Sequence, residues 1–440
     1  MEELTGKDEQ ELKKEFRLLK VLKEDARELI RPVKPFTVAD YLIVFIVLLS
    51  MLLFCDAESL VQTSGASFGY LNRRFLDFYE YGRECGIREL SYMPLIYVIY
   101  AVWNLPLKLT FLVRYPMPEV PFFILVWYKL LPILLYLGCA YLVYKIACEI
   151  GMGKKKAKLC AAAAFTMPVG FFLQFSYWSV IVIPLFFVML GLFFYLRNNR
   201  WGFVGCFAAA IGCLQYVCVL FLPLLLLKEK RLRRLCEDIV VAVAPFLLEC
   251  LVYQNHPILF QNVKLFDINA NFEAGLNIGI FVIQYVLFFF VVILGWSYFT
   301  HTRSKKELAA YAVFFVGLSG TITLCLTNWK PELFMLLVPV SVLGAFLHKD
   351  IRIFMILDIG WAGLIVAYMA IKRFEFGGID MVASLYTVLL LVIVGFKHPA
   401  FLAEKAEELP LICTGWLRTR FLAGAVLGII WMLAVMLFGA

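Results

Sequence analysis

Charge is the scarcest property of this chain. Asp, Glu, Lys and Arg together make up 17% of its 440 residues, against 62% hydrophobic ones. With a mean hydropathy of +0.84, a soluble globule is excluded on paper: too much apolar surface would face water, so lipid is the expected solvent. Metal-ligand patterns are also missing. The twelve cysteines fall mostly inside apolar runs, with no CxxC and no Cys/His spacing, and read as small buried hydrophobes. Cys55 and Cys85 are the pair placed to bridge one loop. No glycine-rich phosphate loop and no nucleotide-sugar fold is visible. No cleavable signal peptide is visible either, because the first apolar run starts near Val38, behind a charged segment. The net charge of +8 does not point to nucleic acid, since the cations sit in short clusters between apolar runs.

What the chain does have is hydrophobic helix in quantity, with one long polar stretch near its start. Residues 1–37 repeat Leu12, Phe16, Leu19, Ala26 and Ile30 at helical spacing and suit a cytoplasmic amphipathic segment. Residues 38–440 read as a single membrane domain. The first span runs from about Val38 to Cys55 and leads outward into a loop over 56–119. Within that loop Tyr92–Leu105 is too short to cross a bilayer. If it crossed, Lys154, Lys155, Lys156 and Lys158 would face outside, against the positive-inside pattern. It therefore belongs in the outer interface. The following spans are Val120–Glu149, Leu159–Phe175 and Ser179–Leu196. Trp201–Leu227 has basic clusters at both ends, and a hairpin of two short helices with Gln215 near its outer turn keeps both inside; Gly212 and Pro223 make such a break plausible. Leu235–Tyr253, Ile278–Phe299, Leu308–Thr327, Leu333–Leu347, Ile353–Ile371, Met381–Phe396 and Phe421–Phe438 complete the pattern. The expected fold is an all-α polytopic bundle of about thirteen membrane helices.

Polar chemistry collects on the outer side. The first loop carries Asp56, Asp77, Glu80, Arg73, Arg74, Arg83, Tyr79 and Tyr92. The later turns carry Gln174, Gln215, Lys264 and Lys330. Carboxylates bond hydroxyls and accept protons. Guanidinium and ammonium groups neutralise phosphate, and aromatic rings cover sugar faces or sit in the interface. Each of these residues also has an ordinary use: a helix-end carboxylate, a loop charge, a belt aromatic. Two carboxylates within apolar helices, Glu249 and Asp358, are costly in lipid and admit a proton-coupled role.

The run Asp77-Phe78-Tyr79-Glu80-Tyr81, followed by Ser91-Tyr92-Met93-Pro94-Leu95-Ile96-Tyr97, resembles the first-loop signature of the GT-C glycosyltransferases. The nearest likeness is to bacterial mannosyltransferase-like membrane enzymes that use polyprenyl-phosphate sugars. The turn at Gln174, the break at Gln215 before Phe221-Leu222-Pro223-Leu224, and Trp329-Lys330-Pro331-Glu332 resemble further motifs of that family. The departures are Met93-Pro94 in place of a double proline, Gln215 where the family often has Lys, and a late turn without its His. The resemblance implies a GT-C-like bundle and an inverting transfer of a mannose-like hexose from a polyprenyl-phosphate donor to a glycan or lipid acceptor at the cell envelope. Asp77, or its rival Asp56, would be the base. Arg73, Arg74, Arg83, Lys264 or Lys330 would neutralise the departing phosphate, and Tyr79, Glu80, Tyr92, Gln174 and Gln215 would complete the substrate site. No cofactor and no metal is implied. Other classes compatible with such a chain are a multi-pass transporter or lipid flippase, which would show broken helices and internal repeats, and an O-antigen-type polymerase or ligase, which would carry its largest outer loop late.

Overall fold

A computed structural model describes residues 58–87, 92–110, 120–167, 179–254, 279–327 and 331–347, with positions 45, 48, 49, 52, 90, 170, 174, 358 and 360. The chain divides into two compact units, Met1–Val47 with Lys405–Ala440, and Leu48–Glu404. Phe45 is the one described residue of the first unit, so the account below concerns the second.

The described residues are all-helical. The polar loop folds as α1 (Glu58–Ala66), α2 (Phe68–Leu71), α3 (Phe78–Glu84) and α4 (Pro94–Leu109). The bundle follows as α5 (Phe122–Glu149), α6 (Lys154–Phe165), α7 (Val182–Leu196), α8 (Arg200–Cys213), α9 (Cys218–Lys228), α10 (Leu232–Val252), α11 (Gly279–Phe299), α12 (Lys305–Thr327) and α13 (Val338–Leu347). Among the described residues, α5 alone is both long enough and apolar enough to cross a membrane by length and composition. Several expected boundaries move. α6 ends at Phe165 and takes the lysines into its first turn. Residues 331–336 form a 3-10 helix, so the expected Leu333–Leu347 helix starts only at Val338. Pro339 explains the delay: its ring clashes with the carbonyl four residues back, so it suits a first turn and not a helix interior.

α4 runs four residues beyond its expected end at Leu105. Pro106 is tolerated because its fixed φ is helical and the hydrogen bond it removes is the one to Val102, a residue on the exposed side. Pro94 opens the helix, where a missing N–H costs nothing. One face, Ile96, Tyr97, Tyr100, Ala101, Asn104 and Leu107, is buried, while Val102, Leu105 and Leu109 lie exposed. This is the i, i+3, i+4, i+7 division of an amphipathic helix.

The segment expected as a hairpin is two helices. Leu214 adopts an extended backbone, and Gln215–Val217 form a 3-10 turn between α8 and α9. Pro223 lies inside α9 and does not make the break. Gly212 contributes differently: a Cβ there would lie 3.0 Å from Leu95 and 3.3 Å from Pro245, so glycine is what lets α4 and α10 close on this point. The α8–α9 pair returns to where it began, because the Lys228 amine donates 2.7 Å to the Tyr195 carbonyl at the end of α7.

The bundle consequently has two chemically distinct ends. At one, Glu149 pairs with Arg197 at 3.3 Å and with Lys305. Arg200 binds Asp238 at 2.8 Å and Glu237 at 3.0 Å, and Lys230 reaches the Ser297 carbonyl at 3.2 Å. That joins the ends of α5, α7, α9 and α11 to the starts of α8, α10 and α12. At the other end, α10 finishes against the polar loop. The Tyr253 hydroxyl donates 2.7 Å to the Phe75 carbonyl, and the Leu95 N–H donates 3.0 Å to Glu249. The Trp103 indole N–H donates 3.1 Å to the Trp127 carbonyl at the start of α5, with the two rings stacked 4.8 Å apart.

Candidate functional site

The loop rests on a core of tyrosine and phenylalanine. Phe78 and Tyr79 are fully buried. Phe78 stacks on Tyr70 at 4.5 Å and meets Tyr97 at 4.9 Å, and Tyr79 meets Tyr253 edge-on at 5.5 Å. Such ring pairs add about 0.5–1.5 kcal/mol each beyond their area. The Tyr79 hydroxyl donates 3.2 Å to the Tyr92 carbonyl, and the Tyr92 N–H donates 3.3 Å to the Tyr97 hydroxyl. Burial pushes the Tyr70 and Tyr79 phenols far above their ordinary range, so both stay neutral. Tyr79, expected in the substrate site, spends its ring on Phe78 and Tyr253 and its hydroxyl on the Tyr92 carbonyl.

Asp77 stands directly on this core, at the N-terminus of α3. Its carboxylate makes no capping bond and turns instead to Arg74, at 2.7 Å, with 36% of the Asp77 side chain and 44% of the Arg74 side chain exposed. The approach is arranged by the end of α2. Arg73 takes a left-handed backbone, φ 65°. The Arg73 N–H donates 3.1 Å to the Tyr70 carbonyl and the Arg74 N–H donates 3.0 Å to the Gly69 carbonyl. That is the Schellman arrangement with arginine where glycine is usual, and the left-handed residue costs on the order of 1 kcal/mol. It swings Arg74 over the Tyr81 ring, 5.3 Å from its centre, and within 3.8 Å of Glu84. Asn72 donates 3.1 Å to the Tyr81 hydroxyl and accepts 2.8 Å from Lys108. Lys108, Asn72, Tyr81, Arg74, Asp77 and Glu84 thus form one continuous polar surface.

Of the residues singled out from sequence, this surface unites Asp77 and Arg74, with Arg73 adjacent and Glu80 and Arg83 exposed on α3. Tyr92 joins through backbone contacts beneath it. Gln215 starts the 3-10 turn and is 5% exposed. Gln174 is fully buried, and neither end of its amide has a hydrogen-bond partner among the described residues. Neither glutamine touches the Asp77 cluster through any described bond. Asp56, Lys264 and Lys330 lie outside the described residues. Cys85 is a free thiol, so the contemplated bridge to Cys55 is not formed. Among the described residues no group of His, Cys, Asp or Glu is arranged to hold a metal ion.

Some polar residues escaped the sequence reading. Lys129 is fully buried on α5 and donates 3.1 Å to the Leu52 carbonyl; a lone lysine inside an apolar helix was the available signal. Asn104 is fully buried and bonds the Ser64 carbonyl at 3.3 Å, the Ser64 hydroxyl at 2.9 Å and the Ser67 hydroxyl at 3.1 Å, tying α4 to α1.

Glu249 fixes the start of α4 from a distant helix. Its second carboxyl oxygen is buried without a hydrogen-bond partner among the described residues. Glu249→Leu strands the Leu95 N–H and is expected to cost about 1–3 kcal/mol, whereas Glu249→Gln keeps an acceptor. Limited proteolysis of the first loop in detergent reads the difference. Faster cleavage of the leucine variant alone is expected, and equal resistance of both to cleavage would show that this clasp does not hold the loop.

No protein-family model matches this chain, and no curated protein matches it.

Proposed function

We propose that the protein is an integral membrane glycosyltransferase that moves a mannose-like hexose from a polyprenyl-phosphate donor to a glycan or lipid acceptor. In this reading its site is on the extracytoplasmic side and its configuration-changing step is inverting. An acceptor hydroxyl gives its proton to Asp77 while its oxygen bonds to the anomeric carbon. The carbon–oxygen bond to the lipid phosphate breaks, and the phosphate leaves with the electron pair. Arg74 orients the Asp77 carboxylate, and other cations of the loop, Arg73 and Arg83 among the exposed ones, offset the charge on the departing oxygen.

The observation that carries this reading is the half-exposed Asp77–Arg74 pair on the polar loop, at the bundle end opposite the Lys and Arg clusters. The positive-inside rule puts those clusters in the cytoplasm and the loop outside. Large apolar side chains exposed on α10 and α11, among them Leu247, Leu248, Leu251, Phe288 and Phe299, support a lipid surround. The count of about thirteen membrane helices remains part of this proposal. The test is to incubate the purified protein with several prenyl-phosphate sugars and follow products by mass. Appearance of a glycosylated acceptor together with free prenyl phosphate is expected. No transfer from any donor, in detergent or in nanodiscs, would defeat the reading.

A further inference from the structure

Lys108 is a cation of the polar surface that no acid among the described residues neutralises. Arg74 has Asp77 and Glu84. Lys108 has two neutral acceptors, the Leu71 carbonyl and the Asn72 side-chain oxygen, and among the described residues no carboxylate lies within ion-pair distance. An ammonium group carries three donors, so one N–H and the whole charge remain unspent. The two neutral bonds hold the amine in place. A cation near a helix C-terminus also gains from the helix dipole, but that gain requires neither of those bonds.

Exposed apolar residues flank Lys108 at the edge of this polar surface. On its own helix Leu105 and Leu109 stand 43% and 67% exposed. The segment that holds its amine, Leu71–Asn72, continues into Phe75 and Leu76, which are 52% and 74% exposed. A fixed positive charge with exposed apolar residues next to it on both segments matches an amphiphile with a phosphate head and a hydrocarbon tail. Free phosphate would have no use for those residues, and a neutral lipid no use for the charge.

We propose that Lys108 seats the phosphate of a lipid whose chain lies along Leu105, Leu109, Phe75 and Leu76. Which lipid this is rests on the transferase reading, under which it is the prenyl phosphate of the donor. Binding of a prenyl phosphate to the full-length protein in nanodiscs tests the seat without requiring turnover. Lys108→Gln is expected to weaken binding about tenfold, the scale of one charge-assisted hydrogen bond, and to flatten its salt dependence. Lys108→Arg is expected to retain most of it, and the matching prenyl alcohol to bind wild type and Lys108→Gln alike. Replacing Leu105 and Leu109 together with Asn, which leaves the amine and its two acceptors in place, is expected to weaken prenyl phosphate as well. Equal binding of prenyl phosphate by wild type and Lys108→Gln would overturn the proposal, as would an equal loss of the alcohol. Inorganic phosphate displacing prenyl phosphate at equal concentration would overturn the lipid assignment. If phosphatidylglycerol displaces it equally, the Lys108 seat stands and the donor reading falls.

Discussion

On the proposed transferase reading, Asp77→Asn is expected to lower sugar transfer from a lipid-linked donor by on the order of a hundredfold or more, the usual contribution of a positioned general base. The substitution keeps the size of the side chain and removes its proton acceptor. It also removes the ion pair with Arg74. That pair is more than a third exposed on both sides, so its loss changes stability by less than about 1 kcal/mol. The fold is therefore expected to survive, and the effect should fall on turnover with little change in donor binding. Initial rates at saturating donor, beside a melting curve of each protein, separate the two. Turnover equal to wild type would remove Asp77 as base and return the role to Asp56.

Phe78→Ala carries the largest expected cost in stability. The side chain is fully buried between Tyr70, Tyr79 and Tyr97, and a Cβ on Gly69 would already lie 3.1 Å from its ring. Truncating such a ring leaves a cavity and costs about 3–5 kcal/mol. The damage is expected to stay local at first, loosening α3 and with it the carboxylate it carries. Proteolysis within residues 72–92 should accelerate while the α5–α12 bundle remains folded. A loop as resistant as wild type would mean that the aromatic core does not hold α3.

The all-helical character could be read from the chain because apolar runs and charge clusters leave coarse marks. Pro94 marked the start of α4, whose buried and exposed faces only the structure shows. The paired basic clusters around Trp201–Leu227 required a return, and Lys228 against Tyr195 is that return. The errors came from local backbone chemistry. Pro106 was read as a stop, but its lost bond falls on an exposed turn. The break fell near Gln215 as expected, at Leu214, two residues after Gly212, but Pro223, also read as a breaker, lies inside α9. The site was less legible. Asp77 stood out as a carboxylate beyond the first span, yet its partner depended on Arg73 adopting a conformation usually signalled by glycine. Tyr79 read as a surface aromatic because its burial is set by Tyr253, far along the chain. Lys108 was not singled out from the sequence, since its hold on Leu71 and Asn72 is visible only in three dimensions.

On the membrane reading proposed above, the α8–α9 hairpin would constrain the lipid around it. At about 1.5 Å per residue, the 14 residues of α8 carry the tip near Gln215 only about 21 Å from the ionic end, while a hydrocarbon slab is ~30 Å deep. Leu95, at the head of α4, touches the hairpin just below that tip. In the membrane orientation proposed above, the outer leaflet would dip toward the midplane to wet the head of α4, and a lipid headgroup entering there would start closer to the protein's interior than beside an ordinary span.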